Sequence, residues 1–448
     1  MSDRIGAVPT LARGVLFAYG SLAFPLAAAF IALQVIVPTF YAQSTALSLS
    51  VIGILLFIAR LFDMATDLIV GYWSDHSKSK FGRRKTFVVV AAIPIAVSIW
   101  ALFNPPANAG AIYLLGWTIA IYVAGTFSIV PLSAWGAELS PDYHQKARIT
   151  GVRVAFGLSG TMAALLVPVF VGTDNDQGYG ETLTVIAWLA LITLLASTVW
   201  AGLKVPDTSK TKLPENTFTE VRKLLVRPNP FRQLLFSFLL NAVGNAIPAT
   251  LFLLYVTHVL SSEAVAGQLL FLYFISAAIS VPFWVWLAKR LGKHQTWSLA
   301  IVVACVFFFW TPWLTESTLW VFALIVACTG FATGADLALP TAINGDIVEW
   351  DALETGYKRP GLFFALWGTA AKLSYGLAIG LAFPLLDVFG FSATVENTEY
   401  SLTALAFMYG WPCLLFKIAA LWVMRGYPIT EKEHARIRKA LREKGEAV

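Results

Sequence analysis

Arg60, Asp63 and Asp67 lie in the run Ala59-Arg-Leu-Phe-Asp-Met-Ala-Thr-Asp-Leu68, inside a stretch that is otherwise apolar from Val51 to Tyr72. Set three and seven residues after Arg60, the two acids share one helix face with it over about two turns. An ionisable group inside a membrane segment costs roughly 2.5 to 3.5 kcal/mol on insertion scales, so such groups face a bundle interior or a watery cavity. Two carboxylates one turn apart, with Thr66 between them in sequence, offer several hard oxygens, the ligands that a small cation such as sodium takes. A proton is the other candidate, because two neighbouring acids in a low dielectric do not both ionise readily. The competing, structural role is neutralisation of both acids by Arg60 and Lys372 as buried ion pairs.

Other charges inside apolar stretches are few. Of 32 Lys and Arg, only Arg60, Arg153, Lys372 and Lys417 fall within them, and Lys417 lies close enough to the inner end to snorkel. Arg153 is a candidate to hold a hydroxyl or anionic group of a solute by its planar fork, or to snorkel in its turn. Asp336 is a second solute-binding candidate. It follows Gly330-Phe-Ala-Thr-Gly334 and precedes Pro340, a pattern that predicts a bent or broken helix serving either a cavity wall or helix packing. Asp346 lies further along the same span, while Asp75 and Glu138 sit at inner ends.

The elements that must position these residues are membrane helices. The chain has 448 residues, 58% of them hydrophobic and 13% charged. Its mean hydropathy is +0.70, well outside the range of soluble domains. Apolar stretches of about 20 residues match a hydrocarbon core of about 30 Å and lack the alternation of barrel strands. Twelve such spans begin near residues 14, 46, 86, 111, 150, 182, 231, 264, 296, 318, 360 and 402. The first is expected to be an uncleaved helix, since no short apolar stretch with a cleavage site precedes it. Cys305, Cys328 and Cys413 all fall inside spans, which implies neither a disulfide framework nor a zinc site.

Basic residues set the expected orientation. Alternate connections carry Lys78 to Lys85, Lys146 and Arg148, the Lys204 to Arg232 linker, Lys289 to Lys293, Lys358 and Arg359, and the tail after Arg425. The opposite connections hold no Lys or Arg, only acids such as Asp174, Glu263, Glu316 and Glu396. Both termini are therefore expected in the cytoplasm, with the chain in the inner (plasma) membrane. The net charge of +6 is spread over every inner loop, which argues against a nucleic-acid partner and for topology.

The long polar linker, with Pro206, Pro214, Pro228 and Pro230, divides the spans six and six. The expected organisation is a bundle over 1–204, a linker over 205–230, a second bundle over 231–425 and a cytoplasmic tail over 426–448. Thr217 to Val226 is predicted to make a short surface helix. Gly82-Arg-Arg-Lys-Thr-Phe87 after the second span and Gly292-Lys-His-Gln-Thr-Trp297 after the eighth keep one offset, the mark of a duplicated bundle. In the tail, Thr430 and Glu433 form a capping box opening a mixed-charge helix, expected on the membrane surface or in solvent. No metalloprotease helix, nucleophile elbow, phosphate loop or soluble domain is present in the sequence, which argues against an enzyme.

Three blocks carry a resemblance. They are Arg60-Leu-Phe-Asp-Met-Ala-Thr-Asp67 with Gly71, Asp75 and Gly82-Arg-Arg-Lys85; Pro131-Leu-Ser-Ala-Trp-Gly-Ala-Glu-Leu-Ser-Pro-Asp-Tyr143 with Arg148; and Gly345-Asp-Ile-Val-Glu-Trp-Asp351 through Gly356 and Arg359 to Lys372. Together they resemble the melibiose-type cation symporters, the glycoside-pentoside-hexuronide branch of the major facilitator superfamily. The resemblance implies an all-α membrane protein of twelve transmembrane helices in two pseudo-symmetric six-helix bundles. It further implies cation binding by Asp63 and Asp67 with Thr66 and Thr126, near Lys372, with sodium or a proton as coupling ion and no other cofactor. Arg153 would help bind sugar, and Arg60, Asp75, Arg83, Arg84, Glu138, Asp142 and Arg148 would belong to the inner gate. The implied partners are a small solute, a sugar, glycoside or uronide, and membrane lipids, with the carrier a monomer. Two departures stand out: Ala27 and Ile129 occupy the places where the melibiose carrier grips its galactoside with aspartates. A less polar cavity suits another glycoside, a uronide paired with Arg153, or an amphiphile, as in the distantly related animal lysolipid carriers.

Overall fold

The structure, a computed structural model, describes residues 11–77, 79, 81–140, 143–171, 179–206, 224, 226, 229–356 and 360–443. Twelve of its helical segments are long and apolar enough to cross a membrane. Their outward faces stay apolar, with Ile112, Phe170 and Leu203 almost wholly exposed, as a lipid solvent requires and water does not allow. The chain is thus a multi-pass, all-helical membrane protein, and it divides into two compact units, Met1–Lys212 and Leu213–Val448.

The first unit holds α1 (Arg13–Ser21) and α2 (Ala23–Ser44), which together make one span, then α3 (Leu49–His76), α4 (Lys85–Phe103), α5 (Ala111–Glu138), α6 (Tyr143–Val171) and α7 (Tyr179–Lys204). The interruption at Leu22 has a local cause. Pro25 lacks the N–H that would bond the Ser21 carbonyl one turn back. Here α2 packs on α6 and α7, α3 on α5, and α4 on α5 and α7.

The second unit holds α8 (Pro230–His258), α9 (Ala266–Leu291), α10 (Lys293–Phe308), α11 (Leu319–Thr355), α12 (Pro360–Val388), α13 (Glu399–Met424) and α14 (Glu431–Glu443). Its spans repeat the first unit's pairing: α8 packs on α12 and α13, α9 on α11, and α10 on α11 and α13. The sequence repeat is a repeat of one turn. Gly82 and Gly292 both adopt positive φ, at 115° and 89°, where a side chain would be strained. Four residues on, Thr86 and Thr296 each return a hydroxyl hydrogen bond to that glycine's carbonyl, at 2.7 and 2.9 Å.

Two expectations need correction. Of the bend or break expected in α11, the break does not occur: the helix is continuous through Pro340 for 37 residues, the proline costing one backbone bond. Gly330 and Gly334 serve packing: a Cβ on Gly330 would strike the Tyr273 backbone, and one on Gly334 the Ser280 side chain. The tail helix α14 is not free on a surface. Ile437 and Leu441 are 2% and 1% exposed in a core shared with Phe231, Trp297 and Ile347, and His434 Nε2 lies 2.8 Å from Glu349 Oε2 on α11. Apart from Leu224 and Val226, the surface helix expected over 217–226 lies outside the described residues.

Candidate functional site

Within the first unit, α3 and α5 cross so that three oxygens converge. Thr126 Oγ1 lies 2.9 Å from Asp63 Oδ1 and 3.0 Å from Asp67 Oδ1. Asp63 and Thr126 are 2% and 1% exposed, whereas Asp67 is half-buried. A hydroxyl has one hydrogen. It can serve only one of the two acceptors fully at a time. Thr66, though next to Asp67 in sequence, gives its hydroxyl to the Asp63 backbone carbonyl at 2.9 Å.

Arg60 belongs to this cluster and not to the charges at the helix ends. Its Nη1 lies 3.1 Å from Asp63 Oδ2, with both side chains almost fully buried, one turn apart on the same face. Its guanidinium also stands 4.3 Å from the centre of the Tyr122 ring, one turn before Thr126 on α5. Phe30 of α2 stacks near that ring at 6.1 Å. The sequence reading missed Tyr122; its spacing of four from Thr126 was the available signal.

A second cluster closes the end of the unit that carries the basic residues. Arg83 Nη2 and Arg84 Nη2 converge on Glu138 Oε1 at 2.6 and 3.0 Å, and Arg84 Nη1 reaches Ser74 Oγ at 2.7 Å. The turn at Gly82 thereby ties the end of α3 to the end of α5. Arg148 bonds Gln145 on its own helix at 3.2 Å. Asp142 and the Asp75 side chain lie outside the described residues. Arg153, on α6 and half-buried, donates to Ser133 Oγ on α5 at 2.7 Å.

In the second unit Lys372 is half-buried on α12. Asp336 is held by three donors: Asn241 Nδ2 at 2.9 Å, Asn245 Nδ2 at 2.8 Å and Trp297 Nε1 at 2.6 Å. Lys417 does not snorkel. It is 1% exposed and donates to Asn241 Oδ1 at 2.9 Å and Asn245 Oδ1 at 2.6 Å. Asp346 pairs with Lys293 at 2.6 Å at the basic end of α11. Outside the spans, burial pushes the Tyr427 phenol far above its usual range, and Asp346 adds to the shift. Among the described residues no three His, Cys, Asp or Glu side chains group as metal ligands.

A family model described as MFS/sugar transport protein matches residues 16–431. The sodium-dependent lysophosphatidylcholine symporter 1 of Xenopus tropicalis is 23% identical over 451 residues, covering 90% of this chain and 83% of its own. The isoprimeverose transporter of Lactiplantibacillus pentosus is 23% identical over 399 residues, covering 85% of this chain and 82% of its own. The crystal structure of a D-xylose-proton symporter superposes with a TM-score of 0.66 at 14% identity, covering 92% of this chain and 97% of that one. That likeness shows a shared fold.

Proposed function

The chain belongs to the MFS/sugar transport protein family, and from that premise we propose a symporter that couples one small cation, sodium or a proton, to uptake of a sugar, glycoside or uronide. The observation that carries the coupling assignment is the single Thr126 hydroxyl set between two carboxylates. A cation among Asp63, Asp67 and Thr126 supplies the positive charge that this geometry calls for. Arg60 pairs with Asp63 in this cluster, so the cation would bind beside a fixed positive charge. Charge in a membrane interior is expensive, so the loaded cluster is better able to pass through an occluded state than the empty one.

In this reading Arg153 donates to the solute while Ser133 steadies its fork, and Lys372 and Thr66 act beside the cation. The Arg83, Arg84 and Glu138 contacts close the inner gate, with both termini in the cytoplasm and transport by alternating access. The carrier acts as a monomer among lipids, without cofactor or nucleic acid. A lysolipid-like amphiphile is the second reading, supported by the Xenopus relative and by Ala27 and Ile129, apolar residues where the melibiose carrier has aspartates.

Counterflow in proteoliposomes tests the function. Full-length protein should exchange a labelled glycoside across a sealed bilayer, and an imposed sodium or proton gradient should drive accumulation. Asp63→Asn and Asp67→Asn should each abolish accumulation while the protein still inserts. Cation-driven accumulation retained in both variants would remove the assignment.

A further inference from the structure

Lys417 and Asp336 carry opposite formal charges, yet they do not touch. Two asparagines one turn apart on α8 stand between them, each accepting from Lys417 Nζ at its side-chain carbonyl oxygen and donating an amide hydrogen to Asp336. Four helices meet in this chain, α13 through Lys417, α8 through Asn241 and Asn245, α11 through Asp336, and α10 through Trp297. The two ends differ in exposure: Lys417 and Asn241 are each 1% exposed, whereas Asp336 and Asn245 are half-buried. A direct salt bridge would have consumed the carboxylate edge. The bridged arrangement hides the lysine behind the amides and leaves the acid at the open end.

The acceptor count supports a ligand at that end. An ionised carboxylate offers about four lone-pair sites. Asp336 Oδ1 accepts from Asn241 and Trp297, while Oδ2 accepts from Asn245, so Oδ2 retains capacity for one further donor. Three donors fix the carboxylate, and a ligand that binds it therefore does not have to freeze its rotamer. Thr333, one turn before Asp336 on the same face of α11, shares a 2.7 Å hydroxyl contact with Tyr273 and adds a second polar point.

Resting on the transport reading above, we propose that Asp336 is a solute-binding carboxylate of the second unit, taking a hydroxyl of a neutral, polyhydroxylated solute, and that Lys417 is its positioning residue through Asn241 and Asn245. The choice of solute class follows from the charge balance. Lysine and aspartate together are formally neutral, so a quaternary ammonium headgroup gains little from the cluster. A sugar hydroxyl gains a charge-assisted hydrogen bond to a preorganised acceptor. This places a sugar-gripping acid in the second unit of a chain that has Ala27 and Ile129 in the first.

The test uses full-length protein with two kinds of probe, a panel of p-nitrophenyl glycosides and lysophosphatidylcholine, read by ligand-induced thermal stabilisation and by counterflow. A glycoside should stabilise the wild type, and lysophosphatidylcholine should not compete with it. Asp336→Asn should weaken glycoside binding about tenfold to a hundredfold, the worth of a hydrogen bond to a charged group. Its cation dependence should stay as in the wild type. Lys417→Met alone should lower thermal stability, and the double variant Lys417→Met/Asp336→Asn should recover stability without recovering glycoside affinity. Wild-type affinity in Asp336→Asn or in the double variant would reduce the pair to a structural clamp and overturn the proposal. So would stabilisation by lysophosphatidylcholine alone, or by no probe at all. Glycoside stabilisation without counterflow would instead sink the transport reading and leave this site standing as a glycoside-binding one.

Discussion

Thr126 Oγ1 sits 3.0 Å from Asp67 Oδ1, and this hydroxyl joins the half-buried acid of α3 to α5. Thr126→Val keeps the side-chain shape and removes the oxygen, so it separates packing from ligation. The valine variant should raise the cation concentration for half-maximal glycoside uptake by about tenfold, the scale of one lost ligand hydrogen bond. Thr126→Ser, which keeps the hydroxyl, should stay near the wild type. Equal cation dependence in the valine and serine variants would show that the threonine oxygen plays no part in ion binding.

Arg60 opposes the cation that its neighbours attract. Its guanidinium pairs with Asp63 and lies over Tyr122, so removing it takes away a like charge and also strands a buried acid. Arg60→Met should therefore bind the coupling cation more tightly than the wild type while losing about 3 to 5 kcal/mol of stability, as buried pairs do when one partner is deleted. Arg60→Lys keeps the charge but loses the planar stack on Tyr122, and its melting temperature should fall between the other two. Cation titrations followed by thermal shift measure both quantities. Weaker cation binding in Arg60→Met would mean that Arg60 orders the site more than it repels the ion.

These two side chains also mark how far the sequence could be read. Asp63 and Asp67 were legible because two acids four apart in an apolar helix are costly, and the spacing alone placed them on one face with Arg60. The Gly82 and Gly292 turn was legible because only glycine takes that φ cheaply. Lys417 was misread. Its distance from the helix end suggested snorkelling, while its partners Asn241 and Asn245 lie 176 and 172 residues away along the chain. No local signal pairs residues at that separation. The gate role of Arg60 came from the family resemblance, whereas its side chain pairs with Asp63 one turn along the same helix.

Gly330 tests whether close packing supports the second unit's polar face. A methyl there would meet the Tyr273 backbone, which cannot swing aside as a flexible side chain can. Gly330→Ala should force α9 and α11 apart and cost about 1 to 3 kcal/mol, the usual range for overpacking. Because Tyr273 bonds Thr333 one turn further along, the same change should lengthen that contact. Gly368→Ala, where a Cβ meets nothing within 4 Å, is the control and should leave the melting temperature unchanged. An equal drop in both variants would point to helix flexibility in general and away from the packing contact.

The tail gives a prediction in which stability and surface location part company. A helix lying in solvent or on a bilayer would tolerate loss of an apolar side chain, whereas Ile437 is 2% exposed within a core shared with α8, α10 and α11. Thr430 Oγ1 caps its start by accepting from the Glu433 N–H at 3.4 Å, so the helix itself should survive substitution. Ile437→Ala should then cost about 2 to 5 kcal/mol, the scale of a buried isoleucine truncation. The hydroxyl of nearby Tyr427 is buried with no hydrogen-bond partner among the described residues, and Tyr427→Phe should be neutral or stabilising by about 1 kcal/mol. Thermal unfolding of the purified variants separates the two directions. A melting temperature unchanged by Ile437→Ala would return the tail to the membrane surface, and a large loss in Tyr427→Phe would mean that its hydroxyl is held by a bound water.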